Sequence, residues 1–273
     1  MPGTGIAESG ISTANGVDFT MLAELFIDIR DARREDVGTL ANIFIKSFRD
    51  DSTAQLLYPH DGIWPVVVEM LRTCLEDDYT QVRVAWDQYT DTIVGWTAVS
   101  LVASEQDDYF RFCDSTVWAG RQLLRREAGT RREAPVHLDE MRRAGLITQL
   151  RTRNRDGQER HIHGQHLVIN TIAIHPDVFE DEIPQIAYKL IDDARDLAKA
   201  EGLPLWAQFP GDYMGDLGGL FFEVGFVEVG AFELNLVGYV SEEQRRRRRR
   251  NWGVQRWTQW VLRSGDWDHG RRV

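Results

Sequence analysis

The sequence predicts an α/β fold of the α+β type, in which helices flank a central sheet. Residues 167–174, LVINTIAI, are a near-continuous apolar and β-branched run that ends at His175-Pro176, as expected of a strand buried on both faces. An amphipathic helix follows, because apolar residues recur at helical spacing between Ile183 and Ala198 while charged residues lie on the opposite side. Strands and long helices that alternate in this way form layered domains around a shared core.

The elements before this strand follow in order. LFIDIRDA at 25–32 alternates apolar and polar residues, which predicts a first strand with one buried face. Helical spacing of apolar residues over 36–48 and 63–76 predicts two helices. The segments 80–88 and 91–102 are joined by a short polar turn and predict a hairpin of central strands.

The elements after the strand have clear boundaries. Pro184 suits a first helical turn, where a missing N–H costs little, and Gly202 ends the helix. LPLWAQF at 203–209 predicts the next strand, and LFFEVGF at 220–226 predicts a short last helix with a Gly-Phe ending. The second half of the chain is therefore predicted as strand, loop, helix, strand and short helix.

This order of elements, together with the Gly-Phe ending, resembles the central part of the GCN5-related N-acetyltransferase (GNAT) superfamily. Residues 167–174 resemble that family's fourth strand, and the helix after them resembles its coenzyme A-binding helix. The resemblance covers most of residues 26–239 outside an insertion at 104–165. It implies a GNAT-like single domain with a mixed central sheet of about six to seven strands, a long insertion between strands three and four, and a C-terminal extension.

Length and composition limit the domain organisation. With 273 residues and 42% hydrophobic content, the chain can bury one substantial core. We therefore expect a disordered segment at 1–24, one domain over 25–240 and an Arg/Trp-rich extension at 241–273. The net charge of −11 disfavours a nucleic-acid-binding surface. No apolar run reaches the length of a membrane span, and 1–24 lack the basic start and apolar block of a signal peptide.

Two features bear on the compartment. Cys74 and Cys113 have neither metal-ligand spacing nor a disulfide framework, which favours free thiols in a reducing compartment. We expect a cytoplasmic protein, with the nucleus as the alternative because of the arginine run at 245–250. The same run fits a solvated helix capped by Ser241. The extension is expected to pack back onto the domain, or else to form a groove for a partner, through Trp252, Trp257, Trp260 and Trp267.

The resemblance implies transfer of an acetyl or other acyl group from a coenzyme A thioester to an amine of a small molecule. Acetyl-CoA would lie beside the backbone of Ile172, Ala173 and Ile174, whose N–H groups would polarise the thioester carbonyl. Its pyrophosphate would lie at the start of the following helix. The cofactor-binding residues that the resemblance assigns there are Glu182, Gln185, Ile186, Ala187 and Tyr188.

Several positions depart from the family's pattern. Members that bind acetyl-CoA usually carry Gln/Arg-x-x-Gly-x-Gly/Ala before this helix, because glycines let backbone N–H groups approach the pyrophosphate. Here Glu182 stands at the basic or amide position, Pro184 removes a donor, and Gln185 replaces the first glycine. The preceding loop is acidic. Phe221 stands where many members have a tyrosine that protonates the departing thiolate.

These departures keep two other functions open. One is an enzyme of the same fold that has lost acetyl-CoA use and catalyses a different small-molecule reaction in the same cleft. The other is a non-catalytic binding protein, hinted at by the arginine run and the tryptophans near the C-terminus. Fold alone does not decide among them. The expected partner is a small-molecule acceptor rather than a membrane or a nucleic acid, and a homodimer stays open.

Candidate catalytic residues lie around the central strand and in the loop before the last helix. His163 and His166 are candidate general bases, since a neutral imidazole takes up a proton at about pH 7. Asn170 can orient an amine or a water molecule, and Tyr213 or Tyr188 can replace the missing acid. The histidine spacing is a weak metal signal without a cysteine or carboxylate partner, so no metal is predicted.

The insertion at 104–165 is unusually long for a connection between neighbouring strands. NRDG at 154–157 predicts a turn within it. We expect the insertion to form a lid or a wall of the acceptor pocket, or else a surface excursion or a dimer contact. A helix with one apolar side is predicted from Leu138, Met141, Leu146 and Leu150.

Overall fold

The computed structural model describes residues 26–58, 63–103, 138–211, 217–241, 246 and 252–265. Within these ranges the strands are β1 (Ile27–Asp31), β2 (Thr80–Asp87), β3 (Thr92–Val102), β4 (His166–Ile174), β5 (Leu205–Pro210), β6 (Val227–Asn235) and β7 (Val254–Leu262). The helices are α1 (Val37–Ser47), α2 (Ser52–Leu57), α3 (Ile63–Glu76), α4 (Leu138–His161), α5 (Ile183–Glu201) and α6 (Leu217–Val224). Short 3-10 helices lie at Arg34–Asp36 and Leu236–Tyr239.

These strands form one mixed sheet in the order β1-β2-β3-β4-β5-β7-β6. Neighbouring strands are antiparallel except β4 and β5, which are parallel and connected through α5. The connection from β3 to β4 contains the long insertion. The predicted fold class, a mixed sheet flanked by helices with an insertion between strands three and four, is confirmed.

Helices cover both faces of the sheet. α5 and α6 pack on one face through an apolar core that includes Ile172 and Phe221. α1 and α3 pack on the other face around the buried Trp96. Gly95 of β3 lets α5 lie close to the sheet, because a Cβ there would stand 3.1 Å from the Ile186 side chain.

The helices predicted at 36–48 and 63–76 are confirmed as α1 and α3. α2 was not predicted, because a helix of 6 residues holds too few apolar positions to show a period. Its N-cap is Asp51, whose side chain accepts a hydrogen bond from the Ala54 N–H at 2.5 Å. None of the helices in the described ranges has both the length and the apolar character that crossing a bilayer requires.

α4 is more continuous than the sequence predicts, since residues 154–157 lie inside the helix rather than in a turn. Asn154 is held there because its side-chain oxygen accepts a hydrogen bond from the Trp206 indole N–H at 2.8 Å. Gly157 leaves room for Gln259 of β7, whose amide nitrogen would lie 2.6 Å from a Cβ at that position. The turn prediction was wrong because contacts with the sheet outweigh the local preference of these residues.

The sheet continues past residue 240, where the expected domain ended. β7 lies within the segment 241–273, which was expected to be an extension, and pairs with β5 on one side and β6 on the other. This segment therefore supplies an interior strand instead of a layer added to a finished domain. Trp252 and Trp260 are buried in it. The expected disordered segment 1–24 and the arginines at 247–250 lie outside the described residues.

Candidate active site

A cleft opens in the sheet between β4 and β5. The two parallel strands pair over a short stretch, from Leu167 opposite Leu205 to Ile169 opposite Ala207. β4 then continues beside β3 as far as Ile174, while β5 leaves it. The C-terminal half of β4 therefore has a strand on one side and the cleft on the other.

A β-bulge at Asn170 decides which N–H groups of β4 face this cleft. Ala98 of β3 pairs with Thr171 and Val99 pairs with Ile169, so Asn170 is an extra residue in β4. Successive N–H groups of a strand point alternately to its two sides. Because a bulge inserts one extra residue, the N–H groups beyond it point to the opposite side from the one they would otherwise face.

Two backbone hydrogen bonds show which side the N–H groups face before and after the bulge. Before it, the Leu167 N–H donates to the Pro204 carbonyl oxygen at 2.9 Å, on the β5 side. After it, the His175 N–H donates to the Val94 carbonyl oxygen at 2.8 Å, on the β3 side. Because neighbouring N–H groups point to opposite sides of a strand, the N–H of Ile174, the residue before His175, points toward the cleft. Without the bulge, counting forward from Leu167 would turn the same group toward β3.

The C-terminal end of α1 closes one side of the cleft. The Ser47 hydroxyl donates to the Ile174 carbonyl oxygen, and Lys46 Nζ lies 3.1 Å from Asp177 Oδ2. The hydrogen bond from Lys46 holds the pKa of the Asp177 carboxyl below its ordinary value. Lys46 therefore offsets part of the acidic loop before α5. Sequence reasoning missed this partner because it lies 131 residues away in the chain.

His175 is a site residue that sequence reasoning did not propose. It follows β4 directly, and its Nδ1 accepts a hydrogen bond from the Asp177 backbone N–H at 3.2 Å. Burial, followed by the charge of Lys46, lowers the pKa of its imidazole. The ring is therefore neutral at about pH 7, the state in which an imidazole accepts a proton. Its position between a buried strand and Pro176 was the available signal.

The start of α5 offers few donors to an anion. Pro184 has no N–H, and the Ile186 N–H already donates to the Glu182 carbonyl oxygen at 3.0 Å. The Glu182 carboxylate accepts a hydrogen bond from the Phe179 N–H at 3.2 Å, which keeps negative charge at the helix start. Ile186 and Ala187 are fully buried, so their side chains cannot contact a ligand.

Two other predicted cofactor residues are more accessible. The Gln185 side-chain amide nitrogen lies 3.5 Å from the Asp181 carbonyl oxygen, and Tyr188 is exposed on α5. The backbone N–H groups of Ile183 and Gln185 are those that the first turn can still offer to a ligand. The residues present therefore fit an extended thioester arm beside β4 better than a pyrophosphate at the start of α5.

Comparison with solved structures decides the fold. The mosquito arylalkylamine N-acetyltransferase-like 5b is 15% identical with a TM-score of 0.52, over 86% of this chain and 99% of that one. The C-terminal condensation domain of Ebony, in complex with β-alanyl-dopamine, is 13% identical with a TM-score of 0.55, over 86% of this chain and 98% of that one. The Drosophila melanogaster polyamine N-acetyltransferase is 11% identical with a TM-score of 0.51, over 87% and 99%.

This chain has the GNAT fold. No family model matches it, and no curated protein does. Identities this low show the GNAT fold and leave the reaction to be argued from the site.

Phe221 of the GNAT-fold chain belongs to the core. Its ring centroid lies 5.6 Å from that of Phe209, 4.9 Å from that of Phe226 and 5.7 Å from that of Trp260. It cannot donate a proton to a departing thiolate. Tyr213, one of the two predicted replacement acids, lies outside the described residues.

His163 and His166 lie at the N-terminal end of β4, before the GNAT cleft opens. His166 is 2% exposed, with Nδ1 2.9 Å from the Gly164 carbonyl oxygen and Nε2 2.7 Å from the Gln158 side-chain amide oxygen. Burial lowers the pKa of its imidazole. It precedes Asn170 by four residues, about 13 Å along an extended strand. As general bases both histidines stay predictions, and the surroundings of His166 favour a structural role.

Within the described ranges, no three His, Cys, Asp or Glu side chains lie close enough together to hold a metal ion. Cys74 is a buried free thiol whose pKa burial raises to about 12, which removes its reactivity as a nucleophile. Cys113 lies in a range that the structure does not describe.

Of the predicted catalytic residues in the described ranges, Asn170 lies at the cleft. It is the first residue of β4 beyond its pairing with β5, and it is partly buried. Its side-chain nitrogen donates to Ser100 Oγ at 2.7 Å, so the side chain lies over β3 on the face that α1 and α3 cover. It can contact an acceptor that approaches from this face.

Proposed function

We propose that this GNAT-fold protein transfers an acyl group from a coenzyme A thioester to an amine of a small molecule. The observation that carries the proposal is the cleft between β4 and β5, into which the bulge at Asn170 turns the N–H of Ile174. A backbone N–H aimed at a thioester carbonyl stabilises the negative charge that develops on its oxygen. The extended backbone of Ile172 and Ala173 would flank the rest of the thioester arm.

The chemistry requires orientation more than covalent participation by the protein. The amine nitrogen attacks the thioester carbon, a carbon–nitrogen bond forms, and the carbon–sulfur bond breaks with its electron pair left on sulfur. One amine proton passes to a base, for which His175 is a candidate: its unprotonated nitrogen, Nδ1, would release the Asp177 N–H in order to take up the proton. The thiolate takes its proton from solvent, since Phe221 has none to give.

Two observations support an amine acceptor. The neighbours in fold include enzymes named for arylalkylamines and polyamines. The chain carries a net charge of −11, which favours the approach of a cationic amine over that of an anion.

A second candidate is an enzyme of the same fold that does not use free acetyl-CoA. The start of α5 favours it, because Pro184 lacks a donor and the Glu182 carboxylate would repel phosphates. The Ebony domain, in complex with β-alanyl-dopamine, is a neighbour in fold that is named a condensation domain rather than an acetyltransferase.

Calorimetry with acetyl-CoA and with acetyl-pantetheine tests these proposals. For the double variant Glu182→Arg/Gln185→Gly we expect acetyl-CoA to bind about tenfold more tightly than it binds the unmodified chain, because a positive charge replaces a negative one beside the phosphates. The affinity for acetyl-pantetheine, which lacks the pyrophosphate, should not change. Glu201→Arg makes the same charge change at the other end of α5 and is the control.

The outcomes separate the two candidates. Binding of acetyl-CoA by the unmodified chain, followed by acylation of amines in a panel of arylalkylamines and polyamines, supports the acyltransferase. Equal affinities for acetyl-pantetheine and acetyl-CoA favour the second candidate, because the nucleotide then contributes nothing. Binding of neither compound by either form contradicts the proposed use of the cleft.

A further inference from the structure

A chain of hydrogen bonds crosses three strands of the sheet and ends at the cleft. Asn170 Nδ2 lies 2.7 Å from Ser100 Oγ, which lies 2.8 Å from Thr80 Oγ1, which lies 2.8 Å from Asp77 Oδ2. Ser100 is buried, whereas Asp77 lies nearer the surface, before β2. The three hydrogen bonds therefore connect Asn170, at the cleft, to the carboxylate of Asp77.

The carboxylate gives this chain a direction. The Thr80 hydroxyl donates to the Asp77 carboxylate, whose oxygens accept hydrogen bonds. Thr80 then accepts from the Ser100 hydroxyl, and Ser100 in turn accepts from the side-chain nitrogen of Asn170. Since each hydroxyl has one proton and that proton is committed, the Asn170 amide has one favoured orientation.

This orientation turns Asn170 Oδ1 away from Ser100. In the part of the chain that the structure describes, no protein donor bonds to that oxygen. Asn170 is partly buried and stands where β5 leaves β4. The cleft therefore carries a hydrogen-bond acceptor, Asn170 Oδ1, whose orientation depends on the Thr80 hydroxyl two strands away.

We propose that Ser100 and Thr80 are positioning residues that hold Asn170 Oδ1 toward the nitrogen of the acyl acceptor, and that this selects primary over secondary amines. The proposal rests on the acyl transfer proposed above. A primary amine loses one proton when its amide forms and keeps another N–H, so its bond to Oδ1 persists from substrate to product. A secondary amine gives up its last N–H and loses that bond as the carbon–nitrogen bond forms.

The experiment compares tryptamine with N-methyltryptamine as acceptors of the acetyl group of acetyl-CoA. We expect the ratio of their kcat/KM values to fall about fivefold to tenfold in Thr80→Val, the equivalent of one neutral hydrogen bond, because Ser100 then has no acceptor and the Asn170 amide can turn over. Thr80→Ser keeps a hydroxyl and should restore the ratio. Thr148→Val, which removes a hydroxyl from the exposed side of α4, should leave it unchanged.

An unchanged ratio in folded Thr80→Val overturns the proposal. A second measurement serves if no amine is acetylated: the side-chain amide protons of Asn170 in nitrogen-15-labelled protein. Their exchange with water should be slow in the unmodified chain and in Thr80→Ser, and at least tenfold faster in Thr80→Val. Equal exchange in all three overturns the hydrogen-bond chain itself. Faster exchange in Thr80→Val without any acetylation supports the chain of bonds and places the failure in the proposed function.

Discussion

The surroundings of Phe221 show how a single side chain limits the chemistry of the site. Three aromatic rings enclose it, and its own ring is fully buried. The next residue, Phe222, points outward and is 73% exposed. Replacing phenylalanine by tyrosine therefore places a hydroxyl in the core at position 221 and in water at position 222.

We expect Phe221→Tyr to lower the free energy of unfolding by about 1–3 kcal/mol, because the added hydroxyl would be buried among aromatic rings without a partner. The change should not increase the rate of acyl transfer. Phe222→Tyr should change stability by less than about 0.5 kcal/mol, because its hydroxyl would reach water. Urea unfolding of both variants measures the difference. A stable and faster Phe221→Tyr would mean that this position does reach the cleft.

The buried imidazole of His166 predicts a pH dependence of stability. Its folded pKa lies below the ordinary value of 6.5, so between the two values the unfolded chain binds more protons than the folded one. Stability from this group is therefore complete above pH 6.5 and decreases as the pH falls toward the folded pKa. His166→Gln should make the free energy of unfolding less dependent on pH in this range. An unchanged slope in urea unfolding across that range would contradict the burial of the ring.

At the scale of elements, α4 is held against the sheet by hydrogen bonds and buried leucines. Gln259 Nε2 of β7 donates to the Arg153 carbonyl oxygen of α4 at 3.1 Å and, within the sheet, to Gln208 Oε1 of β5 at 3.0 Å. Leu146 and Leu150 are buried as predicted, whereas Met141 is exposed. These contacts hold the described helix of the insertion against the sheet, and its role as a lid, a pocket wall, a surface excursion or a dimer contact stays a prediction.

Two glycines of α4 test this attachment. Alanine in a helix interior is ordinarily more stable than glycine by about 1 kcal/mol. Gly145→Ala should follow that rule, since its Cβ would meet Tyr239 at 3.6 Å, an ordinary contact. Gly157→Ala should instead lose about 1–3 kcal/mol, because it displaces Gln259 from two partly buried hydrogen bonds. Thermal or urea unfolding that shows equal stabilisation by both changes would contradict the close contact of α4 with β7.

At the scale of the whole molecule, the sheet is completed by a strand, β7, that the sequence does not reveal. Residues 254–262 contain buried glutamines, Gln255 and Gln259, in place of a regular apolar alternation. Both neighbours of this strand come from earlier parts of the chain. The segments 63–76 and 167–174 were predictable because their signals are local and strongly apolar.

The site was less predictable than the fold, for a related reason. The bulge at Asn170 is invisible in the run LVINTIAI, because only the pairing with β3 reveals the extra residue. Lys46 reaches Asp177 across the domain, and Ser100 reaches Asn170 from the next strand. Contacts between distant segments decide these positions, and a resemblance could indicate the strand but not its neighbours.

A chain that ends at residue 240 should fail to fold, because β5 and β6 would each lose the strand between them. The loss also removes Trp260 from the aromatic cluster around Phe221. We expect weak near-ultraviolet circular dichroism and strong binding of a hydrophobic dye for this chain. A chain that ends at residue 265 keeps every described strand and is the control. Cooperative unfolding of the shorter chain would contradict the interior position of β7.

The position of β7 also affects the protein during its synthesis. Domains begin to fold from the N-terminus while the rest of the chain is still being made. β7 is the last strand of this sheet to leave the ribosome, so until then β5 presents an open edge of backbone N–H and C=O groups. Such an edge pairs readily with other chains. The domain is therefore most exposed to misassembly just before β7 leaves the ribosome, when the other described strands of the sheet have already been made.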